Sequence, residues 1–340
     1  MIFFKFYIKI DIKLSKWYLK HMKSAIIGLG VIGKVHYDVL SKQGENIVAV
    51  CDIDPEKLGE YEGVKKFLNY KVMLDSEDID VVHICTPHYL HAEMIVYALE
   101  KGVNVLCEKP LCINTTQLEQ VLDAEKKSKA QLGVCFQNRY NSTSRFAKDY
   151  LKDKEIKYAF GSVRWHRDES YYKSADWRGK WATEGGGVLI NQAIHTLDLL
   201  EWIAGEPKRL VGATFNRSLK GVIEVEDTAL IDFLGEHDFS LFATNTAEKD
   251  MPIELRFFTK NEVVSITPDT AKINGKIVEN VGDYDWYGKA SYGNGHEKLI
   301  RDFYNAVECG EKFWIDGTEG AKALRLVLAA YKSGGELIEL

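Results

Sequence analysis

The sequence predicts an α/β protein of two domains, the first a parallel sheet covered by helices on both faces, the second an α+β unit with an open, mostly antiparallel sheet. Three observations carry this. At 340 residues the chain exceeds one typical core and suits two, since domains run ~100–200 residues. From Lys23 to about residue 136, continuous apolar runs alternate with stretches whose apolar residues recur at helical spacing. Beyond residue 136 the runs become short, rich in β-branched and aromatic residues, and separated by Gly, Asn and Asp. The expected boundaries are an N-terminal extension over 1–22, a first domain over 23–136 and a second over 137–340.

The opening segment, MIFFKFYIKIDIKLSKWYLKHM, carries lysines at 5, 9, 13, 16 and 20 with Asp11 between them. They leave no apolar core of the ~7–15 residues that a secretory signal needs. The segment alternates at Phe6, Ile8, Ile10 and Ile12 as a strand would, and it equally reads as an upstream extension with the ordinary start at Met22. The regular pattern then begins with a run at Ser24–Gly28, a helix over Val31–Lys42 and a second run at Ile47–Cys51. Runs at Val81–Cys85, Val103–Cys107 and Gln131–Cys135 come next, with helices over Tyr89–Lys101 (Met94, Ile95, Ala98, Leu99) and Thr116–Lys129 (Leu118, Val121, Leu122) between them. Strands that are apolar throughout, rather than alternating, are buried on both faces, which implies a parallel sheet.

In the second half, strands are expected at Lys157–His166, Arg209–Phe215, Thr228–Phe233, Phe239–Thr246, Ile253–Phe258 and Glu262–Ile266. A helix over Val188–Ala204 interrupts them, and helices over His296–Glu308 and Thr318–Ser333 close the chain, with room to pack back on the first domain. An extended sheet face needs covering, so a homodimer or homotetramer is expected.

Composition excludes several classes. Forty-four Lys+Arg against fifty Asp+Glu give a net charge of −6 with no dense basic run, so nucleic acid is not an expected partner. No stretch reaches the ~18–20 apolar residues of a membrane span. The six cysteines show no CxxC and no paired spacing, and read as reduced thiols of a cytoplasmic protein.

The strongest local motif is Gly28-Leu29-Gly30-Val31-Ile32-Gly33, which comes after the first strand and opens the first helix. The first glycine makes the tight turn, the second admits a pyrophosphate, the third lets helix and strand pack, and the helix N-terminus faces the anion. Asp52 ends the second strand nineteen residues after Gly33, where a carboxylate can accept from both hydroxyls of an adenosine ribose. That carboxylate would repel a 2′-phosphate, and Ile53 and Asp54 offer no arginine to receive one. A Rossmann domain binding NAD, in preference to NADP, is the expectation.

Two further clusters stand out. Glu108-Lys109-Pro110 comes after the strand Val103–Cys107, so Lys109 projects from the carboxyl edge of the sheet, where open α/β folds bind ligands. Later, Gly185-Gly186-Gly187 leads into Val188-Leu189-Ile190-Asn191-Gln192-Ala193-Ile194-His195-Thr196-Leu197-Asp198. On a helix, Asn191, His195 and Asp198 share one face at i, i+4 and i+7. Three consecutive glycines cost backbone entropy unless something must approach closely.

With GLGVIG, Asp52, Thr86-Pro87, Glu108-Lys109-Pro110 and GGGVLINQAIHTLD in this order, residues 23–340 resemble the glucose–fructose oxidoreductase/inositol dehydrogenase (Gfo/Idh/MocA) family. The resemblance implies an active site between the two domains, where a nicotinamide cofactor oxidises or reduces a ring carbinol of a sugar, nucleotide sugar or cyclitol. It makes Lys109 and His195 the proton-handling pair and places Thr86, Pro87, His91 and Glu108 around the nicotinamide half. Two positions depart from the family pattern. Residue 191, often Asp in inositol-type members, is Asn here, and His88 stands where many members have Asn after Thr-Pro.

His83 lies within a strand while His88 and His91 come after it, and the family's redox step needs no metal, so no metal site is expected. Helix spacing permits Asp198 to orient His195 without requiring it. Arg139, Tyr140, Trp165, Tyr172, Trp177, Arg178, Tyr292 and His296 are candidate sugar-facing groups, because aromatic faces and forked donors suit polyols. Two alternative readings keep the fold: a glycosidase that oxidises C3 transiently and returns the hydride, and a non-catalytic NAD-binding sensor.

Overall fold

The computed structural model describes residues 22–282, 287 and 293–340. The expected extension before Met22 and the candidate Tyr292 lie outside the described residues.

The first domain contains β1 (Lys23–Ile27), α1 (Val31–Gln43), β2 (Asn46–Cys51), α2 (Pro55–Leu58), β3 (Lys65–Phe67), α3 (Tyr70–Ser76), β4 (Val81–Ile84), α4 (His91–Glu100), β5 (Asn104–Glu108), α5 (Thr115–Lys127) and β6 (Leu132–Cys135). Its strands pair in the order β3-β2-β1-β4-β5-β6, all parallel. The apolar runs explain the arrangement: Ala25, Ile26, Ile27, Val81, Val82, Ile84, Val105 and Leu106 are buried, with helices above and below. Local signals set the helix ends. Asn69 and Asn114 accept backbone N–H groups at the starts of α3 and α5, and Gly44, at φ 76°, takes the left-handed conformation that stops α1. The chain runs outward from β1 to β3 and then returns to β4 on the other side of β1. The carboxyl ends of β1 and β4 therefore flank the crevice where such sheets bind ligands.

The second domain adds α6 (Ser142–Leu151), β7 (Ile156–Arg164), α7 (Glu169–Lys173), α8 (Ile194–Ala204), β8 (Pro207–Phe215), β9 (Thr228–Gly235), β10 (Asp238–Thr244), β11 (Glu254–Thr259), β12 (Val263–Ile266), β13 (Thr270–Ile273), β14 (Lys276–Asn280), α9 (His296–Cys309), α10 (Gly317–Ser333) and β15 (Leu337–Glu339). Among the described residues its sheet runs β14-β13-β12-β11-β7-β10-β9-β8-β15, antiparallel except for β7 with β10. Alternation is clear on β9, where Ala229, Ile231 and Phe233 are buried while Leu230 is 50% exposed. One sheet face is covered by α8, whose Thr196 and Leu200 lie so close to β7 that a Cβ at Gly161 would fall 2.7 Å from Thr196 Cγ2. The last helices return to the first domain. Phe303 and Phe313 pack on Gly133 of β6, and Val134 packs on Gly320 of α10, each with no room for a Cβ. No helix among the described residues is long and apolar enough to cross a membrane.

Candidate active site

The glycine-rich turn is shaped by sterics. Gly28 has φ +90°, and a Cβ there would lie 2.6 Å from the Cys85 carbonyl oxygen; one at Gly33 would lie 1.9 Å from the Gly28 carbonyl oxygen. Around Gly30 nothing lies within 4 Å, which leaves open space at the N-terminus of α1. These three glycines fit a pyrophosphate cradle: two permit the turn and its packing, and the third leaves room for the ligand. Leu29 is buried, while Val31 at 67% and Ile53 at 88% are exposed. The Asp52 carboxylate is pinned by backbone donors, accepting from Leu29 N–H at 2.7 Å on Oδ2 and from Asp54 N–H at 2.9 Å on Oδ1. Lys57 Nζ stands 3.5 Å from Oδ2, so this lysine is a partner of the acid.

At the carboxyl end of β5, Glu108 is buried and its Oε1 accepts from His36 Nε2–H at 3.1 Å. A polar chain continues behind it: His36 Nδ1 to His83 Nδ1 at 2.7 Å, His83 Nε2 to Tyr304 hydroxyl at 2.9 Å, and Tyr304 hydroxyl to Ser24 Oγ at 2.7 Å. His296, 2% exposed, brings Nε2 within 3.9 Å of Glu108 Oε1. Burial acts to raise the Glu108 carboxyl, and the His36 hydrogen bond with the charges of His36, His296 and Lys109 outweighs it, holding the group well below the usual range. One donor atom each from His36, Glu108, Cys135 and His296 lies within 4.8 Å of the others. The His36–Glu108 hydrogen bond already accounts for much of that closeness, and no metal is assigned there.

Lys109, joined to Pro110 by a cis peptide, leaves the sheet edge and donates from Nζ to the Asn191 carbonyl oxygen at 2.9 Å. Burial lowers its affinity for a proton, with Glu108 and Glu184 opposing and Arg178 assisting. His91 is a brace between loops: its ring nitrogens lie 2.7 Å from the Pro110 carbonyl oxygen and 2.8 Å from that of Thr86. His88 donates from Nδ1 to the Glu184 carbonyl oxygen at 2.9 Å and packs its ring 4.9 Å from that of Trp177.

The second domain supplies the facing wall. Residues Leu189–Ala193 form a π-helical turn before α8, so the helix is not uniform across the polar positions. A π turn shifts the phase of the residues beyond it and recurs at functional sites. The three glycines are explained by the chain itself. A Cβ at Gly185 would meet Ile113 at 2.5 Å, at Gly186 the Tyr331 hydroxyl at 2.0 Å, and at Gly187 the Glu226 carbonyl oxygen at 1.9 Å. Asn191 donates from Nδ2 to Glu184 Oε1, and Gln192 donates from Nε2 to the Tyr171 hydroxyl at 3.2 Å. His195 packs edge-on to Phe136, and its buried Nδ1 has no hydrogen-bond partner among the described residues. Burial, then the Lys109 charge, hold this imidazole neutral, well below its ordinary pKa.

Several expected site residues lie elsewhere. Asp198 does not orient His195: it is fully buried and accepts from Arg139 Nε–H at 2.8 Å and Nη2–H at 2.7 Å. Arg139 is likewise fully buried, and its Nη1 donates to Glu319 at 2.7 Å, so it cannot face a sugar. Tyr140 bonds to Asp302 and Trp314. Tyr172 sits in a small apolar cluster with Leu219, Ile223 and Val225, its hydroxyl taken by Asn245. Trp165 lies under the Arg167 guanidinium at 4.9 Å, and His296 stands behind Glu108. Trp177 and Arg178 do line the wall, Arg178 bonding the Tyr171 hydroxyl through Nη1. Sequence reasoning missed Tyr171, Glu184, Gln192 and Asn245, of which only Gln192 lay inside a recognised motif.

A nucleotide cradle on one domain, meeting a low-affinity lysine and a neutral imidazole at the junction with the other, defines a nicotinamide-dependent dehydrogenase. This chain belongs to the Gfo/Idh/MocA family, its residues 22–136 matching the oxidoreductase family NAD-binding Rossmann fold and residues 155–250 the GFO/IDH/MocA C-terminal domain. It is an NAD-dependent enzyme acting on CH–OH groups. Among similar proteins, the uncharacterized oxidoreductase YrbE of Bacillus subtilis is 25% identical over 92% of this chain and 94% of its own length. An inositol 2-dehydrogenase of Rhizobium meliloti is 25% identical over 93% and 97%. Among solved structures, the WlbA dehydrogenase of Chromobacterium violaceum in complex with NADH and UDP-GlcNAcA superposes with a TM-score of 0.83 at 27% identity, covering 94% of this chain and 96% of that one. The myo-inositol 2-dehydrogenase of Lactobacillus plantarum gives 0.81 at 27%, covering 94% and 100%.

Proposed function

We propose that the protein oxidises a secondary ring hydroxyl of a sugar, nucleotide sugar or cyclitol, with Lys109 taking the hydroxyl proton and His195 assisting. The observation that carries this reading is the bond from Lys109 Nζ to the Asn191 carbonyl oxygen at 2.9 Å, which ties the sheet edge of one domain to the helix segment that bears His195. When bound, NAD takes up the carbinol hydrogen as hydride. Gly28–Gly33 would hold its pyrophosphate, Asp52 its adenosine ribose, and Thr86 and Pro87 would flank the nicotinamide half.

Lys109 must be neutral to accept a proton. Burial already favours the neutral amine, and a cationic nicotinamide would favour it further. His195, held neutral by burial and the Lys109 charge, can share that single proton without adding a second positive charge. Tyr171 and Arg178 contribute hydroxyl and guanidinium groups to the facing wall, suited to a polyhydroxylated ring. Relatives named for inositol and levoglucosan, and a neighbour holding UDP-GlcNAcA, support that substrate class.

The test is a panel of cyclitols, sugars and nucleotide sugars with NAD, monitoring reduced cofactor and the carbonyl product. Equal amounts of both support the reading. Release of an aglycone without net cofactor reduction would replace it with transient oxidation. We also infer a homo-oligomer built through the open sheet face bearing Tyr158 and Leu230, to be checked by light scattering on the eluted protein.

A further inference from the structure

The wall facing Lys109 holds a carboxylate outside every motif that marks the site. Glu184 immediately precedes the three glycines and is 1% exposed. Both its oxygens accept: Oε2 from Gly179 N–H at 2.5 Å and Oε1 from Asn191 Nδ2–H. The main-chain carbonyl of Asn191 in turn accepts from Lys109 Nζ. Lysine, asparagine and glutamate are thus linked across the domain junction.

The chemistry of these groups has two consequences. A carboxylate only accepts hydrogen bonds, so it takes the NH₂ end of the Asn191 amide and turns Oδ1 away from itself. Asn191 is neutral and cannot balance a lysine, whereas the buried Glu184 carboxylate acts on Lys109 electrostatically, adding to the charge of Glu108. We propose that Glu184 is a positioning residue of this active site, setting which end of the Asn191 amide faces the cleft and supplying a counter-charge to Lys109. The proposal rests on the dehydrogenase reading given above.

The surroundings of Glu184 agree with it. Arg178 and Lys109 face it as cations, Tyr171 and Tyr172 of α7 and Tyr331 of α10 face it as phenols, and His88 bonds its backbone. Burial lifts its pKa to about 7 against the pull of Gly179, Asn191, Arg178 and Lys109. Its charge therefore changes in the neutral range, and below that range the protonated group can donate to Asn191, which no longer has to present its NH₂ end.

Glu184→Gln keeps the size and one acceptor oxygen while removing the charge. In the substrate-free protein, the Lys109 side chain is titrated by NMR, its signal assigned with Lys109→Met. Loss of an opposite charge should lower the Lys109 pKa by about one unit. In turnover, kcat/KM should fall about tenfold at pH 8 and its acidic limb should move to lower pH. Asn191→Asp combined with Glu184→Gln, which returns a carboxylate to the linked group, should recover most of the loss. If Glu184→Gln does not fold, the wild-type Lys109 signal decides, because ionisation of Glu184 adds a second inflection to it at the pH where Glu184 loses its proton. An unmoved Lys109 titration with a parallel pH profile, or the absence of that inflection, overturns the proposal. Failure of every substrate to reduce NAD would overturn the dehydrogenase reading alone, since the titration needs no turnover.

Discussion

Replacing Asp198 by alanine separates a structural role from a chemical one at a residue the motif pattern places among the catalytic groups. Its carboxylate holds Arg139 through two hydrogen bonds of 2.7 and 2.8 Å, and both side chains are fully buried. Removing one partner of a buried ion pair typically costs ~3–5 kcal/mol, because the other charge is left without compensation. Arg139 would keep Glu319 at 2.7 Å and the more distant Glu201 at 3.7 Å, which argues for the lower end. A loss of about 3 kcal/mol corresponds to a fall in Tm of about 6–12 °C at the sensitivity of a 150–250-residue domain. The assays are thermal unfolding by circular dichroism, and steady-state kinetics well below the transition. The folded variant should keep kcat/KM within about threefold of wild type, since nothing bonds Asp198 to His195. A variant of unchanged Tm that loses turnover a hundredfold would refute the reasoning and return Asp198 to the chemistry.

Lys109→Met and His195→Ala should each lower turnover by ~10²–10⁴ while NAD affinity, measured by fluorescence titration, barely moves, and the double variant should be little worse than the poorer single. Asp52→Ser with Ile53→Arg should weaken NAD by tenfold or more, at ~1.5–3 kcal/mol for each charge-assisted hydrogen bond lost, and favour NADP in relative terms by isothermal titration. Gly30→Ala and Gly33→Ala should part company. The first adds a methyl to open space and should leave Tm unchanged while NAD affinity falls, whereas the second drives a Cβ to 1.9 Å from the Gly28 carbonyl and should lower Tm as well. Equal Tm losses in the two would mean that Gly30 is not at the cofactor.

The first domain was legible because burial on both sides leaves its strands few polar positions. Lys23–Ile27, Val81–Ile84 and Asn104–Glu108 stand within a residue of where the apolar runs put them. The elements that the pattern passed over lack such a signature. β3, Lys-Lys-Phe, is a three-residue edge strand whose two lysines are exposed, and α3 and α6 are short, with polar residues on much of their surface. β13 and β14 carry only the weak alternation of strands at the sheet margin.

At the site, sequence by itself determined the residues that act through their position along the chain. The turn at Gly28, Asp52 at the end of β2 and Lys109 at the end of β5 are set by strand ends alone, because a strand's last residue must emerge at the carboxyl edge of a parallel sheet. Only the tertiary structure decided the rest. Asn191, His195 and Asp198 share a face in a regular helix, but the π turn at Leu189–Ala193 leaves no mark on a periodicity of apolar residues. Arg139 reads as a sugar-facing donor until Asp198, fifty-nine residues away, is found to neutralise it in the core. Glu184 stands outside every motif, and only folding brings Gly179, Asn191 and Lys109 around it. In each case the role is set by a partner distant in the chain and by the water excluded between them, and one-dimensional spacing records neither.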